Sequence, residues 1–154
     1  MYTTIEQANA YVASYYSSTN NIRIAWEALS EEDKQVVLNR AEQVIDLLPF
    51  SGKPVDLKQT NAFPRHPNPE LSLERVRVAT IELALQTNGD TEAQDRLNLR
   101  AQGVKSYKIG DLSETFKDTG SEDYLIQFAL DVVNPFLRNW LGGGYRICPT
   151  RIRR

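Results

Sequence analysis

His66 is the only histidine and Cys148 the only cysteine of the chain, so any Ser-His-Asp or Cys-His relay would have to run through these two side chains. His66 lies in His66-Pro67-Asn68-Pro69, a proline-rich connector in which a surface loop histidine is the simpler assignment. Cys148 lies beyond Gly142-Gly143-Gly144. A nucleophilic thiolate needs a base held beside it and a lowered pKa, and an arm behind a triple glycine supplies neither. One cysteine also excludes an internal disulfide and a multi-cysteine zinc site, which suits a reducing cytoplasm. The adjacent acids Glu31, Glu32 and Asp33 follow Ser30. That order reads as a helix N-cap with carboxylates in the first turn, where the helix dipole favours them. Metal ligands would instead have to converge from separate elements. Asp90, Glu92 and Asp95 lack the glycine and closing glutamate of a calcium loop. Neither Lys-Ser/Thr nor a helix follows the triple glycine, so it is no phosphate loop. The sequence therefore predicts no catalytic residue, no metal site and no cofactor.

Two groupings suit binding instead. Lys105, Tyr107, Lys108, Ile109, Leu112, Phe116 and Lys117 fall together around a Gly110-Asp111 turn. A basic groove with aromatic faces is how single strands of nucleic acid are held. The competing reading packs the aromatics down and leaves the lysines to guard exposed strand edges. The second grouping is the C-terminal arm, where Tyr145, Ile147, Pro149 and Ile152 alternate with Arg146, Arg151, Arg153 and Arg154. This pattern suits an extended segment docking on a neighbour, with apolar side chains in pockets and guanidinium groups on carboxylates. A solubilising tail and a contact with DNA phosphates are the other readings. The arm contains no acid, which leaves −6 on residues 1–144 of a chain whose net charge is −2. An acidic body with a basic tail favours the packed-down reading of the hairpin.

The elements that must position these groups follow from periodicity. At 154 residues, 41% hydrophobic and 25% charged, the chain reads as one globular domain able to bury its own core. Thr3-Thr4-Ile5-Glu6 has capping-box spacing, and Ile5, Ala8, Val12, Tyr15 and Tyr16 predict a helix over 4–17. A second helix is expected over 30–48, with Val37, Ala41, Val44, Ile45 and Leu48 inward. Residues 50–69 hold Gly52 and four prolines, and predict an irregular connection anchored by Phe50, Val55, Leu57 and Phe63, with a short helical turn at 59–63. A third helix over 70–87 turns Leu73, Val76, Thr80, Leu83 and Ala84 inward and ends at Asn88-Gly89. Strands at 104–109 and 112–117 predict a β-hairpin. A fourth helix begins at Ser121 with Tyr124, Leu125, Phe128, Ala129, Val132 and Val133 inward, and ends or kinks before Pro135. The fold class expected is mainly α: a small bundle of about four helices with a β-hairpin insertion and an extended C-terminal arm. Residues 1–141 form the body, and 142–154 a glycine hinge and basic arm. No segment approaches the ~20 apolar residues of a membrane span, and no signal peptide is expected at the N-terminus.

Several of these runs resemble, in order and spacing, the head–tail connector (adaptor) proteins of tailed bacteriophages, a group also labelled DnaT-like and single-stranded-DNA-binding. They are Tyr11, Tyr15 and Tyr16; Trp26 ahead of Ser30-Glu31-Glu32-Asp33-Lys34; Ile45-Asp46; Pro49-Phe50-Ser51-Gly52; Phe63-Pro64-Arg65; Glu82-Leu83-Ala84; Val104-Lys105-Ser106; and Pro135-Phe136-Leu137. The resemblance implies a ring of about twelve copies beneath the portal protein. Such a ring extends the DNA channel without sequence-specific binding and offers a platform to a downstream neck or tail-completion protein. It also implies a protein made in the host cytoplasm and carried in the virion at the head–tail junction. Residues 105–117 would then serve inter-subunit contact, and 145–154 contact with the portal or a neighbour. The alternative is a single-stranded-DNA-binding accessory of replication.

Overall fold

The computed structural model describes residues 1–89, 106–109, 112–115 and 121–142. The protein is mainly helical: α1 (Ile5–Tyr15), α2 (Asn21–Glu27), α3 (Glu31–Asp46), α4 (Pro69–Gly89) and α5 (Ser121–Leu137). Two short strands, β1 (Ser106–Ile109) and β2 (Leu112–Thr115), pair antiparallel, with Ser106 opposite Thr115 and Ile109 opposite Leu112. The remaining residues of the expected hairpin, the acidic stretch 90–95 and the arm 143–154 lie outside the described residues.

Local chemistry sets the helix starts. Thr4, one residue later than expected, is the N-cap of α1. Its side chain accepts from the Gln7 amide at 3.3 Å, while the Gln7 side chain accepts from the Thr4 amide at 3.1 Å. The capping box is therefore Thr4–Gln7 rather than Thr3–Glu6, because Thr3 is buried. Helix α2 was not expected: Asn20, which reads as turn, caps it by accepting from the Ile22 amide at 2.8 Å. It exists to bury Trp26, whose indole N–H donates to Asn9 at 2.9 Å. Ser30 caps α3 by accepting from the Asp33 amide, and the three acids fall in the first turn as the sequence predicts.

Helix α4 is the centre of the body. Ser72, Val76, Ala79 and Thr80 are buried on one side of its first half, where Glu70, Leu71, Glu74 and Arg75 are exposed. Ile81, Leu83, Ala84 and Leu85 are buried in the second half, where the other helices leave no residue of 76–88 exposed. Helices α2, α3 and α5 pack on it. The inward row of α3 is Lys34, Leu38, Ala41 and Ile45, followed by Leu48, so Val37 and Val44 sit at its flank and Leu38 is the residue the sequence reading passed over. On α1, Ala8 and Val12 are buried but Tyr15 is 73% exposed, contrary to its place in the expected stripe. Helix α5 buries Ala129, Leu130, Val133 and Leu137 and runs through Pro135 instead of ending before it. Pro135 and Asp131 are both on the exposed face, so the carbonyl that loses its donor faces water.

The connection 47–68 is as ordered as the helices. Pro54 and Arg65 form an isolated antiparallel bridge, and His66 N–H donates to the Lys53 carbonyl at 2.8 Å. No helical turn forms at 59–63. The Gln59 side-chain amide takes the carbonyls of Asn61 and Pro64, and Asp46 takes the Ala62 amide, so the backbone bonds to side chains instead. Phe63 plugs the loop into the core. It is buried against Tyr2, Phe50 and Trp140 in three edge-to-face contacts with centroids 6.2, 4.7 and 6.3 Å away.

Gly52 has φ +80°, and a Cβ there would stand 2.2 Å from the His66 carbonyl oxygen. Gly52→Ala is expected to destabilise the fold by more than about 1 kcal/mol, since both backbone and space oppose it. Phe63→Ala should cost about 3–5 kcal/mol. Urea unfolding of the two variants against the parent checks both values.

Candidate functional site

The loop between α3 and α4 supplies the most developed surface among the described residues. Its frame is Arg65. The guanidinium donates to the carbonyls of Gly52 at 2.7 Å, Ser51 at 3.1 Å, Ala62 at 3.1 Å and Phe50 at 3.5 Å. The Arg65 amide donates to Ser72 Oγ in the first turn of α4, which itself donates to the Pro69 carbonyl. Arginine suits this task because its planar fork presents five donors in fixed directions.

Around that frame lies a cleft of about 450 Å³, lined by Asp46, Leu48, Pro49, Phe50, Pro54 and Arg65 together with residues 59–62. The last turn of the body closes beside it. Gly142 N–H donates to the Pro49 carbonyl at 2.9 Å, Ser51 N–H to the Trp140 carbonyl at 2.6 Å, and Leu141 bridges to Phe50. Gly142, the last described residue before 143–154, therefore sits next to the loop.

Beyond the cleft the loop turns outward at 55–58. Lys58 N–H donates to Asp56 Oδ1 at 2.8 Å, Gln59 N–H to the Asp56 carbonyl, and Asp56 N–H to the Gln59 side chain, which fixes the turn. Leu57 at its tip is 88% exposed and Val55 is 47% exposed. Both were expected to anchor the loop inward. Only Phe63, fully, and Phe50, partly, do so. Hydrogen bonds hold the turn, so its apolar side chains are free to point away.

The N-terminal segment braces the loop from below. Tyr2 is buried. Its hydroxyl donates to Asp46 and accepts from the Phe63 amide at 3.1 Å. Burial first, and then the hydrogen bond to Asp46, push the Tyr2 phenol well above its ordinary value of 10.0. Glu42 accepts from the Tyr2 amide at 2.9 Å, from the Asn61 side-chain amide, and from the amino group of Met1 at 2.9 Å. Burial raises its pKa, but the Met1 ammonium and the two amides outweigh burial and hold the carboxyl below its ordinary 4.5. On the far side of the body, the Tyr11 and Tyr16 hydroxyls both donate to Glu82, at 2.6 and 2.8 Å. Burial and then Glu82 raise both phenols above 10.0, so both tyrosines stay neutral donors.

Lys105, Phe116, Lys117 and the whole of 145–154 lie outside the described residues; Tyr107, Lys108, Ile109 and Leu112 are placed in β1 and β2 by backbone alone. His66 is exposed in its loop, and Glu31, Glu32 and Asp33 are exposed at the start of α3. Among the described residues no group of three or more potential metal ligands occurs, and no helix is long and apolar enough to cross a membrane. Sequence reasoning missed the roles of Tyr2, Arg65 and Leu57. The Phe63-Pro64-Arg65 run was available as a signal for Arg65, but which carbonyls an arginine gathers depends on the folded loop.

Loop and helices together define a small helical body with one rigid, outward-facing loop. The family described as "Putative DnaT-like ssDNA binding protein" matches residues 1–154, and the chain belongs to it. No curated protein and no solved structure matches the chain.

Glu42 generates a pH prediction. Its folded pKa is lowered, so its contribution to stability is present above 4.5 and is lost as pH falls through the folded value. The raised phenols act in the opposite direction: their contribution is present below 10.0 and is lost as pH rises. Glu42→Gln should lower stability at neutral pH and flatten the acid limb, with only a small change in the alkaline limb, because the Glu42 charge is the smallest of the causes that raise the Tyr2 phenol. Denaturant unfolding across pH measures both limbs.

Proposed function

We propose that this protein is a structural component of a tailed-phage head–tail connector. It forms a ring beneath the portal, extends the DNA channel, and presents a docking platform to the next neck or tail-completion protein. The observation that carries this reading is the hydrogen-bonded loop that holds Leu57 and Val55 in water while Phe63 and Arg65 lock its base. A loop fixed in one shape with apolar side chains outward suits protein contact, because the ordering cost is met before binding. The acidic body adds support: residues 1–144 carry −6, and negative walls suit a channel through which phosphates must slide. Tyr145–Arg154 would contact the portal or a neighbouring subunit, and the 105–117 hairpin would contribute to subunit contact.

A second reading, a single-stranded-DNA-binding accessory of replication, is favoured by the description of the family. It would rest on the lysines and aromatics of 105–117 and on the arginine arm. Phosphate-driven binding of that kind weakens steeply with salt.

Quantitative mass spectrometry of purified virions from the source phage separates the two. The connector reading expects about twelve copies per particle, matched to the portal. A protein abundant in infected cells and missing from virions would refute it and favour the replication reading.

A further inference from the structure

The strongest unassigned feature is a pair of surfaces on one chain that complement each other and do not meet within it. The first is the loop turn. Leu57, 88% exposed, and Val55 are flanked by the exposed Lys53 and Lys58, with Asp56 between. The second is the outer face of α3. Val36 there is 63% exposed, with Glu32 one turn before it and Arg40 one turn after. Asp33 adds a carboxylate at the same end of this face, while Glu31 is turned away from it, 3.5 Å from Lys34 of the inward row. Each surface has an apolar centre. One is rimmed mainly by cations with one acid, the other mainly by acids with one cation.

We infer that the Leu57 turn of one copy docks on the Val36 face of α3 in the next copy. Lys53 and Lys58 then lie toward Glu32 and Asp33, and Asp56 toward Arg40. The two patches differ, so the contact is heterologous: each copy gives one face and receives the other, and repetition closes a ring or runs on as a filament. The turn is already fixed by its Asp56 and Gln59 hydrogen bonds, so docking loses little loop entropy. The second copy is the occupant because both halves of the contact are present on this chain with opposite predominant charge. The inference rests on the ring reading above for its biological setting, but its test does not.

Leu57→Asp and Val36→Asp each remove one face, and both positions are exposed enough for the fold to tolerate the change. Sedimentation and native mass spectrometry of the full chain supply the readout. The parent should self-associate with rising concentration, and each variant alone should stay monomeric with an unchanged melting temperature. An equimolar mixture should form a dimer and no larger species, since Leu57→Asp retains the α3 face and Val36→Asp retains the turn. As a second check, Lys53→Glu with Lys58→Glu should weaken association by about tenfold or more, and Glu32→Lys in the same chain should restore part of it. Parent assemblies that survive Leu57→Asp and Val36→Asp overturn this contact and leave the ring reading standing. A parent that stays monomeric at high concentration overturns the contact as well. Absence from virions combined with the mixing result would refute only the connector reading.

Discussion

Phe63 and Arg65 hold the molecule together at the point where its chain segments converge. Phe63 brings Tyr2, Phe50 and Trp140 into one aromatic cluster. Those rings come from the N-terminal segment, the loop and the turn after α5, which are far apart in sequence. Arg65 performs the polar equivalent, gathering the carbonyls of residues 50–52 and 62. A loop of this length leaves many backbone groups without helix or sheet partners, and each would cost free energy if buried unpaired. One guanidinium, one glutamine and two carboxylates satisfy most of them. The aromatic cluster then fixes where the satisfied loop sits on α3 and α4.

That arrangement explains why the ends of the body are well tied. Tyr2 gives its hydroxyl to Asp46 and receives the Phe63 amide, while its own amide is taken by Glu42. At the other end the Trp140 indole donates to the Pro67 carbonyl, and Ser51 donates to the Trp140 carbonyl through both its amide and its hydroxyl. Removing the loop's frame would therefore loosen both chain ends together. The Tyr11, Tyr16 and Glu82 group is a separate brace between α1 and α4, where one carboxylate receives two phenols. In a partly buried setting such charge-assisted bonds are stronger than neutral ones.

Much of this was legible before any coordinates. The strongly periodic helices α1, α3, α4 and α5 were, because their apolar rows repeat over several turns. Helix α2 was not, since seven residues hold too few turns for periodicity, and its cap Asn20 reads equally well as a turn. Pro135 misled because the penalty of an internal proline depends on whether the orphaned carbonyl faces protein or water, which a sequence does not state. Leu57 misled in the opposite direction. A leucine in a loop normally reads as an inward anchor, but here Asp56 and Gln59 already fix the turn and Phe63 already plugs the core. The candidate site was less legible than the fold for the same reason: its shape comes from side chains bonding to backbone across the loop. The arm and hairpin residues chosen for binding stand on pattern alone.

The charge distribution bears on which proposed role suits the body. A general single-strand binder gathers cations along a groove and pairs them with exposed aromatic faces. Among the described residues several cations are already engaged: Arg65 is spent on carbonyls, Arg23 sits 2.7 Å from Glu27, and Lys34 lies over the Trp26 ring, 5.7 Å from its centre. The aromatics are mostly engaged as well, with Phe63, Trp26 and Trp140 buried and Tyr11 and Tyr16 bonded to Glu82. Tyr15 is exposed, but it leans on Tyr11 at 4.5 Å beside the Glu82 carboxylate, which repels phosphate. The body also leaves in water a hydrogen-bonded apolar turn flanked by lysines and, on α3, Val36 beside acids. Such surfaces suit protein contact, which favours the proposed connector role over a general single-strand binder.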